Sequence, residues 1–406
     1  MSARKAAAGD GPYPLPEGWR WVKLGEVAEI NPRDPKPADD TEISFVGMAQ
    51  LDATTAFAKP LENRPFGDVS KGYTAFRNHD VLVAKITPCW ENGKIGQAEL
   101  DHEVGVGSTE FHVVRPGDRL DHRYILHFLR QPHVRDTGEL RMTGSAGQRR
   151  VPTNYLSDLK IPLPPLSGQR RIAEILDRAE GLRKDGDSIL RNLSDLAESE
   201  FHRRFSRSSS EVVMLGDVVD LSSGKSLVSR DQTVDSPYKV LKISSVTSGN
   251  FRSSEVKQLP IDYVPPADHL VHRGDLLMSR ANTADLVGAT AYVDLTPGNI
   301  ALPDKVWKFQ WKIPGQDPIF YQSLLSSAPI RNKISKLASG SGGSMKNISK
   351  SKLLSMEIPG VENEEQEEYS KFVKSLHERR RIVESQIGGF SALSKSLQSR
   401  AFRGEL

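Results

Sequence analysis

The sequence predicts an α+β protein in which two repeated globular domains are separated by two long antiparallel coiled-coil helices. Three observations predict it. The chain resembles itself at a nearly constant offset; each copy ends in a long proline-free stretch with heptad-like apolar spacing; and the segments before those stretches alternate short strand-like and helix-like runs. At 406 residues the chain exceeds one ordinary core, and its 37% hydrophobic and 26% charged residues are those of a globular protein.

An internal repeat organises the chain. Val22-Lys23-Leu24-Gly25-Glu26-Val27 parallels Val213-Met214-Leu215-Gly216-Asp217-Val218, with 191 positions between the Leu-Gly pairs. Asp80-Val81-Leu82-Val83-Ala84-Lys85 parallels Asp275-Leu276-Leu277-Met278-Ser279-Arg280 at 195. Leu156, Ile161-Pro162, Gln169 and Phe205 match Leu353, Ile358-Pro359, Gln366 and Phe402 at 197. Matches in the same order, drifting by a few positions, describe a tandem duplication with small loop insertions. The expected division is a first domain over 1–166, a helix over 167–206, a second domain over 207–362 and a helix over 363–406.

In the first copy Val81 to Ile86 and Glu110 to Val114 read as buried strands, Tyr124 to Leu129 as a short helix, and Asp136 to Thr153 as a polar loop. In the second, Tyr238 to Ile243 and Asp275 to Met278 read as strands, Pro318 to Ser326 as a helix and Ser339 to Ser344 as a Gly/Ser loop.

Pro162-Leu163-Pro164-Pro165-Leu166 stops any helix, after which Ser167 is an expected N-cap and no proline follows until after Phe205. Ile172, Ile175, Ala179, Leu182, Ile189, Leu193 and Leu196 recur at three- and four-residue steps and ask for a partner helix. In the second copy Phe372, Leu376, Val383, Ile387, Phe390, Leu393 and Leu397 do the same, and Glu364, Glu365, Glu367 and Glu368 suit the positive end of the helix dipole. The two apolar stripes are expected to bury each other; packing of each helix on its own domain alone is the alternative.

The net charge of +3 announces no partner, but its distribution does. Ser326 to Ser355 holds Arg331, Lys333, Lys336, Lys346, Lys350 and Lys352 without an Asp or Glu, around Gly340-Ser341-Gly342-Gly343-Ser344. The first copy places Arg141, Gln148, Arg149, Arg150 and Asn154 on the matching loop. Cations and amides in such loops suit phosphates and base edges, so Arg141, Gln148, Arg149, Arg150, Asn154, Ser341, Ser344, Lys346, Asn347 and Lys350 are candidate DNA contacts. Lys85, Asn92 and Lys94 follow a strand in the first copy, and Arg280, Asn282 and Lys305 sit comparably in the second. Trp90 reads as packed rather than stacked on a base. A single cysteine, Cys89, suits a reducing compartment, and no stretch approaches a membrane span.

Catalytic signatures are missing. The sequence has no phosphate-binding loop of the Gly-x-x-x-x-Gly-Lys type, Gly105-Val106-Gly107 lacks a third glycine, and Asn31-Pro32 alone does not make a methyltransferase site. No metal-ligand cluster is expected.

Leu15-Pro16-Glu17-Gly18-Trp19 with Trp21-Val22-Lys23-Leu24-Gly25-Glu26-Val27, the junction Ile161-Pro162-Leu163-Pro164-Pro165-Leu166 with Gln169-Arg170-Arg171-Ile172, and the closing Ala401-Phe402-Arg403-Gly404-Glu405-Leu406 resemble the specificity subunit of type I restriction–modification enzymes. Gly168 stands where that family commonly has Glu, and Ile358-Pro359-Gly360-Val361 lacks the double proline. The resemblance implies a non-catalytic cytoplasmic subunit whose two recognition domains read the halves of a bipartite asymmetric DNA target. It further implies docking of two modification subunits and of restriction subunits. No cofactor belongs to this chain in that picture; S-adenosylmethionine, ATP and Mg²⁺ belong to the partners. Roughly 35 helical residues span about 50 Å, enough to address sites a turn of DNA or more apart. A stand-alone DNA-cleaving enzyme and a coiled-coil module without a DNA role are the competing readings.

Overall fold

The structure is a computed structural model that describes residues 11–145, 147–205, 212–233, 235–340 and 345–406. It divides into two compact units. The first comprises the described residues up to Asp187 together with Ser385–Leu406, and the second is Ser188–Glu384.

In the first unit a six-stranded sheet runs in the order Ala28–Ile30, Phe111–Pro116, Val81–Ala84, Ile95–Ala98, Phe57–Ala58, Leu51–Asp52. Val81–Ala84 is paired on both edges and all four residues are buried, which is why it reads as an unbroken apolar run rather than an alternating one. A four-stranded sheet (Glu62–Pro65, Glu42–Val46, Val104–Gly107, Thr74–Arg77) lies in the same unit. Arg20–Lys23 pairs antiparallel with Lys160–Leu163, setting Val22 opposite Ile161. The helix His122–Leu129 is capped by Asp121, whose carboxylate accepts from the Arg123 and Tyr124 amides.

One expected loop is partly helical. The segment foreseen as irregular from Asp136 begins inside a helix, Pro132–Leu140, that starts on a proline in its first turn. Thr137 and Gly138 are weak helix formers, so propensity hid it. Packing explains the glycine: a Cβ on Gly138 would come within 2.1 Å of the Trp90 ring. Trp90 is fully buried and donates its indole N–H to the Arg135 carbonyl at 2.9 Å.

The second unit repeats the plan with fewer strands. Val219–Ser222, Val306–Trp311, Leu276–Ser279 and Thr290–Tyr292 form its main sheet, and Val256–Gln258, Lys239–Leu241 and Ile300–Ala301 a smaller one. The helix Pro318–Ser326 is capped by Asp317 as its counterpart is by Asp121. One buried glutamine per unit ties this cap to a long helix. Gln169 accepts from the Asp121 amide at 2.8 Å and donates to the Arg119 and Pro164 carbonyls, both at 2.9 Å. Gln366 accepts from the Asp317 amide at 3.0 Å and donates to the Val361 carbonyl at 2.8 Å.

The long helices are Leu166–Phe205 and Asn363–Ala401. Ser167 is not the N-cap, because the helix begins one residue earlier, directly after Pro165. In the first unit Ile172 and Leu176 share a core with Leu397, Ala401 and Phe402; in the second, Ala197, Phe201 and Phe205 share one with Tyr369, Phe372 and Val373. Early residues of one helix meet late residues of the other in both units, so each pairing is antiparallel.

The seam differs from the expected one. Positions 169, 172, 176, 179, 183, 186, 190, 193, 197, 200 and 204 are all buried or half-buried, and adding 197 to each gives the seam of the second helix, Gln366 through Ala401. Ile172 and Leu193 lie in it, as do Leu376, Val383, Ile387, Phe390 and Leu397; Ile175 and Phe372 are half-buried beside it. Leu182, Ile189, Leu196 and Leu393 are corrections, being 46–51% exposed on the flank. Arg183 and Gly186 occupy seam positions that an apolar count passes over, so the count slid one residue toward the bulkier Leu182 and Ile189.

Candidate nucleic-acid interface

In the first unit the candidate surface is built where the strand Val81–Ala84 ends. The Lys85 amide donates to the Glu110 carbonyl at 2.9 Å, and the Lys85 carbonyl accepts from the Val151 amide at 2.9 Å. Arg150 and Thr143 exchange both backbone bonds, at 2.8 and 3.0 Å, which closes the loop between them. Gly144 permits the closure: its φ is 124°, and a Cβ would meet the Gln148 carbonyl at 2.7 Å.

Two ion pairs then flank the loop. Arg150 donates from Nε and Nη2 to the Glu110 carboxylate at 2.9 and 2.8 Å and from Nη1 to the Gln148 carbonyl at 3.2 Å. This guanidinium holds the Glu110 carboxyl below the usual carboxylate range. Arg149 is exposed, 3.8 Å from Glu139. Beneath the loop His112 Nε2 bonds the Val151 carbonyl at 2.8 Å while Nδ1 meets the Asn31 side-chain amide at 3.2 Å. Accepting from Asn31 requires the neutral ring, and burial lowers the pKa of His112 in the same direction.

The second unit rebuilds this scaffold bond for bond. The Arg280 amide donates to the Lys305 carbonyl at 3.0 Å, the Ile348 amide donates to the Arg280 carbonyl at 2.9 Å, and Asn347 and Ser339 exchange both backbone bonds at 2.9 Å. Lys85, Glu110, Thr143, Arg150 and Val151 thus correspond to Arg280, Lys305, Ser339, Asn347 and Ile348. The pairing of Ala281–Asn282 with Lys346–Asn347 sets Lys346 where Arg149 stands. Arg280 lies over the Trp307 ring, 5.7 Å from its centroid.

The sequence-predicted residues therefore separate into groups. Lys85, Gln148, Arg149 and Arg150 come together in one unit, and Arg280, Asn282, Lys305, Lys346 and Asn347 in the other. Arg141 and Asn154 line a cleft of about 450 Å³ with Thr137, Thr143 and Tyr155. Asn92 is exposed in a turn, and Lys94 is tied to the Met48 carbonyl at 2.8 Å. Lys350 pairs with Asp220 at 2.7 Å and donates to the Leu221 carbonyl at 2.8 Å. Ser341 and Ser344 lie outside the described residues. Sequence reasoning missed Glu110, His112, Glu139 and Trp307; the 195-residue offset, applied to Lys305, leads to Glu110.

Among the described residues no group of three His, Cys, Asp or Glu side chains could hold a metal ion, and no helix is long and apolar enough to cross a membrane.

Residues 16–184 and 207–387 each match the model of the type I restriction modification DNA specificity domain. The type I restriction enzyme EcoEI specificity subunit of Escherichia coli is 28% identical over 448 residues, covering 86% of this chain and 75% of that protein. The MjaVIII specificity subunit of Methanocaldococcus jannaschii is 24% identical over 89% of this chain and 87% of that protein. Among solved structures, a chain from a type I restriction–modification system aligns over 97% of this chain and 100% of its own length with a TM-score of 0.58 at 20% identity. The type I S subunit from M. genitalium covers 95% of this chain and 96% of its own length, with a TM-score of 0.56 at 13% identity. These two show the fold. The family model spans most of the chain in two copies, and the chain belongs to the type I restriction–modification specificity subunits, non-catalytic DNA-recognition proteins with two recognition domains.

Proposed function

We propose that each unit reads one half of a bipartite, asymmetric DNA target through the loop built around Lys85, Arg149 and Arg150 in the first unit and Arg280, Lys305, Lys346 and Asn347 in the second. The observation that carries this is the duplicated backbone scaffold: the same bonds hold a cation-bearing loop at the end of the same strand in both units. Such loops reach phosphates with Lys and Arg and base edges with Arg, Asn and Gln.

In this reading the long helices set the spacing between half-sites and dock two modification subunits, with restriction subunits joining the assembly in the cytoplasm. Leu182, Ile189 and Leu196 support the docking role. They recur every seven residues on one helix and stay about half exposed, the pattern of a stripe waiting for a helical partner. S-adenosylmethionine, ATP and Mg²⁺ act in the partner subunits, where adenine is flipped out and methylated. Methylome sequencing of a host expressing this chain with its modification partner tests the reading. A two-part methylated motif with a fixed spacer is expected. No new methylation, or a single continuous palindrome, would refute it.

A further inference from the structure

The two loops share a backbone but not a charge. Lys85, Arg149 and Arg150 face Glu110 and Glu139 in the first unit, a net charge of +1. The matched positions in the second unit are Arg280, Lys346, Asn347, Lys305 and Lys336, a net charge of +4. Glu139 and Lys336 correspond because their helices, Pro132–Leu140 and Ala328–Leu337, carry prolines 197 positions apart at their starts. Both carboxylates paired with the first loop's arginines are thus lysines in the second unit.

The bonding state differs accordingly. In the first unit Glu110 engages Arg150 and Glu139 stands beside Arg149. In the second, none of Arg280, Lys305, Lys336 and Lys346 has an ion-pair partner among the described residues, and the buried Arg280 Nε has no hydrogen-bond partner.

We propose that the second unit is the electrostatic anchor of this protein: Arg280, Lys305, Lys336 and Lys346 take the phosphate backbone of duplex DNA and carry most of the salt-dependent affinity. The inference rests on the DNA-reading role proposed above. Bringing Arg150 to a phosphate breaks its bidentate bond to Glu110 and sets that carboxylate near another anion, so little is gained. Arg280, Lys305 and Lys336 meet no such opposition, and each phosphate they neutralise releases counterions.

The test measures affinity of the full chain for a mixed-sequence duplex as salt rises from about 50 to about 200 mM. Lys305→Gln/Lys336→Gln should flatten the logarithmic salt slope by about 2 and weaken binding on the order of tenfold at low salt. Arg149→Gln/Arg150→Gln should flatten the slope by less than about 1. Glu110→Gln/Glu139→Gln should steepen it. Thermal melts of all three variants control for folding; Lys305 is half-buried and Lys336 exposed, so glutamine can replace either without entering the core. An equal or larger effect from the first-unit arginines would overturn the anchor. Salt-independent binding, or none, by the unmodified chain would instead remove the DNA-reading role itself.

Discussion

Gln169→Ala tests how each recognition domain is fastened to its helix. The side chain is fully buried and makes three hydrogen bonds of 2.8–2.9 Å, to the Asp121 amide and to the Arg119 and Pro164 carbonyls. Each bond is worth about 1 kcal/mol net, and alanine leaves one donor and two acceptors buried without partners. The expected cost is about 3 kcal/mol, concentrated where the long helix leaves the domain. That corresponds to roughly a hundredfold faster amide exchange in any segment whose opening the glutamine opposes.

Peptide-resolved hydrogen exchange suits this because a two-unit chain does not owe a single unfolding midpoint. Residues 119–130 and 161–176 should lose protection in Gln169→Ala, while 313–326 should not change; Gln366→Ala should show the reverse. If both variants accelerated exchange in both units equally, or neither changed it, the glutamine would not be the local fastener and the reasoning from its three bonds would fail.

Other expectations follow from the same structure. Leu176→Ala, in the seam and 3% exposed, should cost about 2–5 kcal/mol, while Leu182→Ala, 48% exposed, should cost under about 1 yet weaken co-purification with a modification subunit. Equal losses of stability would return Leu182 to the seam. Deleting one heptad from each long helix removes about 10 Å of rise and should shorten the spacer of the methylated motif by about three base pairs; an unchanged spacer would end the ruler idea. His112 binds a proton less readily folded than unfolded, so its contribution is intact above the ordinary histidine pKa of about 6.5 and is lost as pH falls below it. Because His122, His133 and His377 shift in the same direction, the informative comparison is between Tm curves of the unmodified chain and His112→Gln. The variant should lose less stability between about pH 7 and pH 5, and parallel curves would absolve His112.

The duplication, the long helices and the buried strands were legible because each leaves a periodic or repeated trace. Gln169 and Gln366 were legible as a matched pair, but not as fasteners, since their partners are backbone groups with no sequence signature. The seam was misread for a physical reason. Arg183 and Gly186 sit in it, so hydrophobicity pointed to Leu182, Ile189 and Leu196 one position away. The helix Pro132–Leu140 escaped because Gly138 is there for Trp90, a contact 48 residues upstream that no local propensity records. Among the candidate contacts, Lys94 and Lys350 looked equivalent to Lys346 in sequence; a 2.8 Å bond to the Met48 carbonyl and an ion pair with Asp220 set them apart from Lys346, whose Nζ reaches the Gly340 carbonyl at 3.4 Å.

What the two units conserve between themselves is backbone bonding, and what they vary is side-chain chemistry. Lys85, Glu110 and Arg150 become Arg280, Lys305 and Asn347 without loss of a single bond from the scaffold. The reason is positional: these residues stand at strand ends and in a closed loop, where the main chain supplies the structure and none of the six is fully buried. His112 and Trp307 show the limit of that freedom. They occupy matched positions beneath the loop and are buried; one holds the Val151 carbonyl and the other lies under Arg280, so each supports only the surface above it. On the proposed reading, substitutions at the upper positions alone should change recognition specificity, whereas exchanging the lower ones requires exchanging the loop with them. Transplanting Arg280 and Lys305 onto Lys85 and Glu110 should fold, and adding Trp in place of His112 without them should not keep the Val151 contact.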